Sequence, residues 1–289
     1  METLRHPADT IVFVPRLYYE DKANRILIMS DCGENSKTLK ALFQNNPPSV
    51  DVSQIIGRSL GIFLAYLHKS TPENKKSFGG NRQTREIAAL ISYGWIISTL
   101  SPKGEDPVLI DPPIDLPPND IVNLKAHADD MATRMTSSDD VLSMGDFWPG
   151  NILVSFTPDL EPRLTVVDWE VVGPGLAGID LGQFLAEMHT LRIFHPTSQN
   201  SVEAVISSLI DAYRESVLQH NSSTDFVDMA WDAASRLGTH LISCTPRVPW
   251  GSKAQTREVV LEGVEYLRRV SNRDQEWLKT SIVGGLLRR

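Results

Sequence analysis

Residues 143–154 read Ser-Met-Gly-Asp-Phe-Trp-Pro-Gly-Asn-Ile-Leu-Val, a polar turn that runs directly into an apolar strand. Residues 164–170 read Leu-Thr-Val-Val-Asp-Trp-Glu, a short β-branched strand that ends on an acid. If the two strands pair through the connection 155–163, they form a small ribbon with Asp146, Asn151 and Asp168 at one edge. We therefore expect this ribbon to be the centre of the functional site.

The three polar side chains of the ribbon are typical of phosphoryl transfer. In that chemistry one carboxylate receives the proton of the acceptor hydroxyl, while an amide oxygen and a second carboxylate hold Mg²⁺ against the phosphates. Two structural explanations compete with this interpretation. Asp146 and Asn151 would also serve to cap a turn through their own backbone. An acid such as Asp180, farther along the chain, is common at the start of a helix, where the helix dipole stabilises it.

Composition limits the class of protein. The 289-residue chain is 41% hydrophobic and 22% charged, as in water-soluble globular proteins. Its formal net charge of −8 argues against a nucleic-acid or anionic-membrane surface. Cys32 and Cys244 show no metal-ligand spacing, residues 1–10 lack the apolar core of a secretory signal, and no run of about 20 apolar residues occurs. We expect a cytoplasmic protein with neither nucleic acid nor a membrane as partner.

The order of predicted elements indicates an α+β fold with a small sheet lobe and a larger helical lobe. Residues 11–14 and 25–29 are predicted strands around the polar turn 20–24. Residues 172–181 are predicted to be a flexible Gly/Pro segment that opens a helix running to about His189. The other predicted helices are 36–43, 52–69, 83–100, 119–135, 201–219, 225–241 and 254–289.

Three motifs occur in a specific order: residues 145–154, the Val-Asp-Trp-Glu of 167–170 and the Gly-Ile-Asp-Leu of 178–181. Together they resemble the aminoglycoside phosphotransferase and choline kinase-like family of kinase-fold small-molecule phosphotransferases. The resemblance implies a protein kinase-like fold and the cofactors ATP and Mg²⁺. The site residues that it implies are a catalytic base, Asp146; an acid that braces the catalytic loop, Asp180; magnesium ligands, Asn151 and Asp168; and a hinge that meets the adenine, Met29, Ser30, Asp31 and Cys32.

The chain departs from the family pattern in two places. Met144 stands where the family usually has a structural His before Gly-Asp, which affects the hydrogen bonds of the loop. The sequence also contains no Gly-x-Gly-x-x-Gly ahead of the predicted hinge, and Lys22 lies in a predicted turn rather than on a strand. On this basis we expect a truncated N-lobe, with residues 1–33 as a remnant of its sheet and hinge and residues 34–289 as the helical C-lobe.

Two functional hypotheses follow. In the first, the protein transfers the γ-phosphate of ATP to the hydroxyl of a small molecule. In the second, it is a pseudokinase-like binding or interaction module that lacks the Gly-rich loop and phosphate-binding lysine, with a protein partner covering the exposed surface of the incomplete N-lobe. A third explanation, that the recorded start is internal to a longer protein, stays open beside them.

Overall fold

The computed structural model describes residues 11–69, 75–76, 78, 82–101, 109, 113–159, 161–221 and 224–288. The strands are β1 Val12–Phe13, β2 Leu17–Asp21, β3 Ile26–Met29, β4 Lys37–Thr38, β5 Val141–Ser143, β6 Ile152–Phe156, β7 Pro162–Val166 and β8 Gly173–Gly175. The α-helices are α1 Leu39–Asn45, α2 Val50–His68, α3 Arg82–Ala89, α4 Ile96–Leu100, α5 Pro118–Ser137, α6 Ala177–Phe194, α7 Gln199–His220, α8 Val227–Ser243, α9 Lys253–Ser271 and α10 Gln275–Thr280. The predicted α+β class is confirmed.

The predicted ribbon is also confirmed. Strands β6 and β7 pair antiparallel, with Leu153 opposite Thr165, and the sheet order is β1-β7-β6-β4. Ile152 and Val154 are buried on one face of β6, and Leu164 and Val166 are buried on β7. Because alternate residues of a strand share a face, this apolar side anchors the ribbon and fixes its register.

The small hairpin near the start of the chain differs from the prediction. Strand β3 pairs with β2, not with residues 11–14, which contribute β1 and pair in parallel with β7. Residues 17–21 were not predicted to form a strand because their sequence, Leu-Tyr-Tyr-Glu-Asp, is less uniformly apolar than residues 11–14. Thus a strand from the proposed 1–33 segment belongs to the ribbon sheet; the division at residue 33 itself stays a prediction.

Both faces of the β2–β3 hairpin are open to solvent. Among the described residues these two strands pair only with each other. The exposed large apolar side chains are Leu17, Tyr18, Tyr19, Ile26, Leu27, Ile28 and Met29. The hypothesis of a partner that covers the small lobe requires such a surface. The partner itself stays a prediction.

Helices α2 and α7 pack with their backbones in contact. A Cβ atom added to Gly61 would lie 2.3 Å from the carbonyl oxygen of Leu209. A side chain at position 61 would therefore force the helices apart. By length and composition α2 is apolar enough to cross a membrane, but half of its apolar window is buried, as in core helices of water-soluble proteins.

Three predicted segments are corrected. The Gly/Pro segment is in part a buried strand, β8, paired antiparallel with β5, and the helix after it ends at Phe194 rather than near His189. The predicted helix 83–100 is interrupted by a π-helix, Leu90–Gly94. The last helix stops at Ser271 and is followed by α10 and a 3₁₀ segment, Ile282–Leu287. The predicted lack of a secretory signal concerns residues 1–10, which lie outside the described residues.

Candidate active site

The loop that carries Asp146 follows β5 and has a residue in a left-handed conformation two positions after the strand ends. Gly145 has φ +82°, and a Cβ there would lie 2.8 Å from the carbonyl oxygen of Val171. Glycine tolerates both the positive φ and the close approach, whereas other residues would strain the turn. The turn directs the chain from the buried end of β5 to the half-buried Asp146.

Asp180 supports this loop through hydrogen bonds. Its side chain is fully buried near the start of α6. Oδ1 accepts hydrogen bonds from the Ser143 hydroxyl, at 3.0 Å, and from the Gly145 N–H, at 2.9 Å. Oδ2 accepts from the Met144 N–H, at 2.9 Å, and contacts His68 Nε2 at 3.0 Å. The loop is therefore held through the N–H groups of its own backbone, and Asp180 also contacts His68 on α2. These hydrogen bonds form although Met144 stands where the family usually has a structural His.

His68 connects Asp180 to a third helix. The Asp180 carboxylate has no proton to give, so His68 Nε2 carries a proton and donates to Oδ2. His68 Nδ1 lies 2.8 Å from the hydroxyl of Tyr213 on α7. Burial raises the pKa of Tyr213, so this contact is made by a protonated hydroxyl. A chain of hydrogen bonds thus links α7, α2 and the Asp146 loop.

Two carboxamides hold the Asp146 carboxylate. Asn151 Nδ2 donates to Oδ2 at 2.9 Å and to the Asp146 carbonyl at 3.1 Å. Gln183 Nε2, from α6, donates to Oδ1 at 2.5 Å. Because both partners of Asn151 Nδ2 are acceptors, the amide orientation is determined, and the Asn151 side-chain oxygen is the atom available to a cation.

Asp168 follows β7 and is positioned next to Asn151. The N–H of Val167 donates to the Asn151 carbonyl at 2.9 Å. Asp168 itself is exposed and has φ +65°, an unusual value for a residue other than glycine. Backbone of this kind is found at functional sites, where the surrounding structure supports the strain.

The donor set fits magnesium better than a softer metal. Among the residues that the structure describes, no group of three or more His, Cys, Asp or Glu side chains is placed to hold a metal ion. Mg²⁺, however, needs only one or two protein oxygen ligands, because phosphates and water complete its shell. The amide oxygen of Asn151 and the carboxylate of Asp168 are of that kind.

The predicted hinge runs from the β2–β3 hairpin to the ribbon. Ser30 closes the hairpin, since its N–H donates to the Arg16 carbonyl at 2.8 Å and its hydroxyl accepts from the Arg16 N–H at 2.9 Å. Asp31 accepts from the Gly33 N–H at 3.1 Å. Cys32 is half-buried, and burial raises the pKa of its thiol. The Ser30 N–H is therefore engaged within the hairpin, and the adenine contact of Met29, Ser30, Asp31 and Cys32 stays a prediction.

A buried ion-pair cluster lies on the α6 face that also carries Gln183. Glu187 Oε2 is 2.9 Å from Lys40 Nζ, and Glu187 Oε1 is 2.8 Å from His240 Nε2. Burial would raise the pKa of Glu187, but His240 and Lys40 outweigh it and lower the pKa to about 2. The Lys40 ammonium also lies 5.1 Å from the Trp148 ring centroid and 4.1 Å from that of Trp250. The cluster connects α1 to α6 and, through Trp148, to the Asp146 loop.

His240 is the cation at the buried end of this cluster. Burial would lower its pKa, but Cys244 and Glu187 outweigh that effect and raise the pKa to about 9. His240 is therefore charged near neutral pH. Its charge and that of Lys40 together compensate the buried Glu187 carboxylate.

No sequence motif marks His68, Gln183 or Arg236 as site residues; Arg236 contacts Gln183. His68 lies 112 residues from Asp180, and Arg236 lies 53 residues from Gln183. No local pattern connects residues at such separations. Gln183 had a weak signal, because on a helix it follows Asp180 by one turn and shares its side.

Comparisons with known proteins identify the family of the chain. A family model described as "Phosphotransferase enzyme family" matches residues 2–217, three quarters of the chain. The chain belongs to the phosphotransferase enzyme family. The resemblance on which the sequence analysis relied is therefore confirmed, and with it the kinase-like class of the fold.

Relatives of this phosphotransferase include small-molecule kinases. It is 28% identical over 283 residues to a 4-hydroxytryptamine kinase of Psilocybe cyanescens, covering 96% of this chain and 72% of the relative. It is 24% identical to a methylthioribose kinase of Geobacillus kaustophilus (strain HTA426), covering 79% of this chain and 52% of the relative. Among solved structures, a choline/ethanolamine kinase family protein from Mesorhizobium loti matches with a TM-score of 0.39 and 14% identity, covering 95% of this chain and 78% of that one.

Proposed function

We propose that this phosphotransferase transfers the γ-phosphate of ATP to a hydroxyl of a small molecule in the presence of Mg²⁺. The observation that supports the proposal is the contact of Asp146 with Asn151, whose Nδ2 donates to Asp146 Oδ2 at 2.9 Å. The hydrogen bond from the Val167 N–H to the Asn151 carbonyl places the next residue, Asp168, near this pair. This is the set of groups that phosphoryl transfer requires.

Each residue has a distinct role in the proposed reaction. Asp146 orients the acceptor hydroxyl and receives its proton. Asn151 and Asp168 would hold Mg²⁺, which supplies electrostatic stabilisation of the phosphates. Asp180 keeps the Asp146 loop in place, which matters because catalysis here consists mainly of positioning and electrostatics.

The acceptor and the nucleotide contact complete the proposal. The names of the relatives supply two acceptors to test, 4-hydroxytryptamine and methylthioribose. Met29, Ser30, Asp31 and Cys32 would form the adenine contact, at the boundary between a small lobe, 1–33, and a helical lobe, 34–289. We also propose that the enzyme acts in the cytoplasm.

The first experiment is thermal unfolding of the purified chain with and without Mg²⁺–ATP. A nucleotide at about 100 times its Kd stabilises the folded state by about 2.7 kcal/mol, which raises Tm by about 5 °C in a protein of this size. Asp168→Ala should abolish the Mg²⁺-dependent part of the shift, whereas the exposed Asp159→Ala should retain it. A shift that Asp168→Ala retains in full would contradict the assignment of the metal ligand.

The second experiment measures phosphate transfer directly. The chain is incubated with Mg²⁺–ATP and either acceptor, and the phosphorylated product is quantified. Asp146→Asn should abolish product formation while the nucleotide-dependent Tm shift persists. Equal turnover of this variant and the wild type would refute the role of Asp146.

One observation favours a second function. The exposed apolar side chains of β2 and β3 suit a binding module whose partner covers the hairpin. This alternative predicts no Mg²⁺-dependent Tm shift and no turnover. A monodisperse monomer with robust turnover and no bound protein would exclude it.

A further inference from the structure

Beyond the proposed catalytic set, a buried arginine is connected to Asp146 through a single amide. Gln183 Oε1 accepts a hydrogen bond from Arg236 Nη2 at 3.0 Å, while Gln183 Nε2 donates to Asp146 Oδ1 at 2.5 Å. Gln183 is 5% exposed and Arg236 is 3% exposed. The contact therefore lies inside the protein, between α6 and α8.

The arginine determines which way the Gln183 amide points. A guanidinium has donors only, so the Gln183 side-chain oxygen must face it. The amide nitrogen then has to face Asp146. Without Arg236, only Asp146 would orient the amide, and the hydrogen bond that holds the Gln183 oxygen in place would be lost.

The Arg236 guanidinium is buried with few partners. Within the described residues its Nε and Nη1 atoms have no hydrogen-bond partner, and no carboxylate lies within ion-pair distance of it. Asp232, one turn earlier on α8, is engaged by Arg134 at 2.6 and 2.9 Å. Burial would raise the pKa of Cys244, but His240 and, less strongly, Arg236 lower it, so the guanidinium also acts on that thiol. A buried cation whose hydrogen-bond partner is a neutral amide costs free energy of folding.

The helices approach closely at this point. A Cβ on Gly182 would lie 2.4 Å from the Ala233 carbonyl oxygen and 2.7 Å from the Arg236 Cβ. Only glycine at position 182 permits this contact, and the contact is what brings the guanidinium to the neighbouring Gln183. The sequence thus provides the space for the pair.

We propose that Gln183 and Arg236 are positioning residues for the Asp146 carboxylate, with Arg236 orienting the Gln183 amide and extending a positive field to the base. The catalytic part of this inference rests on the proposed function, in which Asp146 is the base. The Arg236–Gln183–Asp146 relay would hold Oδ1 in place, while Asn151 holds Oδ2. Together they fix the plane of the carboxylate towards the acceptor hydroxyl.

A stability cycle tests the relay without any assay of activity. Arg236→Met is measured in the wild type and in the Asp146→Asn background. Relief of the buried charge should leave Tm unchanged or raise it in the wild type. The change in Tm caused by Arg236→Met should be about 2 °C more positive in the Asp146→Asn background than in the wild type, because the effects of interacting residues are not additive. Additivity of the two changes within about 0.5 °C would overturn the proposal, whether or not the chain is active.

Kinetics then test the positioning role. Gln183→Met and Arg236→Met should each lower kcat about 10- to 100-fold, because small displacements of a catalytic group have effects of this size. The KM for Mg²⁺–ATP should stay within about twofold, and the double variant should be no slower than either single variant. Exposed controls are Arg58→Met and Gln219→Met, which should change neither quantity.

One further variant separates the two hydrogen bonds of Gln183. When it is ionised, the side chain of Gln183→Glu keeps an acceptor for Arg236 but has no donor for Asp146, so at pH values where it is charged kcat should fall as far as in Gln183→Met. Wild-type kcat in Gln183→Glu, or effects of Gln183→Met and Arg236→Met that multiply, would refute the relay. If the wild type transfers no phosphate to any acceptor, the proposed function fails, while the stability cycle still decides on the relay.

Discussion

Replacing Asp180 with asparagine tests how this side chain supports the Asp146 loop. The substitution keeps the shape but exchanges one carboxylate oxygen for an NH₂ group. The Ser143 hydroxyl and the His68 ring can each exchange donor and acceptor roles, whereas the N–H groups of Met144 and Gly145 cannot. Each Asp180 oxygen accepts from one of these two N–H groups. In either orientation of the new amide, one backbone N–H therefore faces another donor.

The magnitude follows from these contacts. One buried unpaired N–H costs about 1–3 kcal/mol, and the three remaining bonds lose about 1 kcal/mol each without the carboxylate charge. Removing the buried charge offsets part of this cost, so the free energy of unfolding falls by about 2–4 kcal/mol in total. For a protein of this size that lowers Tm by about 4–8 °C. Since the loop also carries Asp146, we expect kcat to fall about 100-fold.

Calorimetry and turnover of Asp180→Asn provide the measurement. The control is Asp159→Asn, an exposed aspartate in the β6–β7 connection, which should change Tm by less than about 1 °C. Asp180→Ala should be less stable than Asp180→Asn because all four donors lose their acceptor. A Tm of Asp180→Asn within about 1 °C of the wild type would refute the reasoning.

Two further predictions concern packing and pH. Gly61→Ala should destabilise the chain by about 1–3 kcal/mol, since its Cβ would lie 2.3 Å from the Leu209 carbonyl oxygen. The exposed Gln54→Ala is the control, and equal urea midpoints of Gly61→Ala and the wild type would contradict the packing argument. The Glu187–His240 pair should stabilise the fold most between about pH 5 and 6. The pKa of Glu187 is lowered from 4.5 to about 2, so the stability that this carboxylate contributes is lost as pH falls below 4.5. The pKa of His240 is raised from 6.5 to about 9, so the stability that this imidazole contributes is lost as pH rises from 6.5 through 9. The Tm difference between wild type and Glu187→Gln should shrink at both extremes, and a pH-independent difference would exclude the pair as its cause.

The parts of the site that the sequence predicted are those made by neighbouring residues. Asp146, Asn151 and Asp168 lie on one turn and one hairpin, so their spacing and the β-branched strands contain the information. A helix opened by residues 172–181 was predicted from local sequence too, although it starts at Ala177 and ends at Phe194 rather than near His189. Its assignment to a kinase-like fold came from the order of the motifs. Local signals of this kind also placed most helices within a few residues of their observed ends.

The parts that the sequence could not supply depend on distant contacts. His68 reaches Asp180 only because α2 packs under the loop, and Arg236 reaches Gln183 only because α6 and α8 are in backbone contact. The Gly/Pro segment that looked flexible becomes strand β8, since β5 supplies its hydrogen bonds. The hairpin pairing was wrong because the mixed polar sequence of β2 concealed a strand that pairs with β3 on an exposed surface.

The parallel pairing of β1 with β7 affects the order in which the chain folds. Val12 lies opposite Leu164, whereas the β6–β7 hairpin closes with Phe156 opposite Pro162. From the separations, 164 − 12 = 152 and 162 − 156 = 6, closing the longer loop costs about 3 kcal/mol more entropy. β1 has only two residues with which to offset this cost. The hairpin that leads to Asp168 should therefore form early, and the N-terminal strand should dock late, after most of the helical chain has condensed.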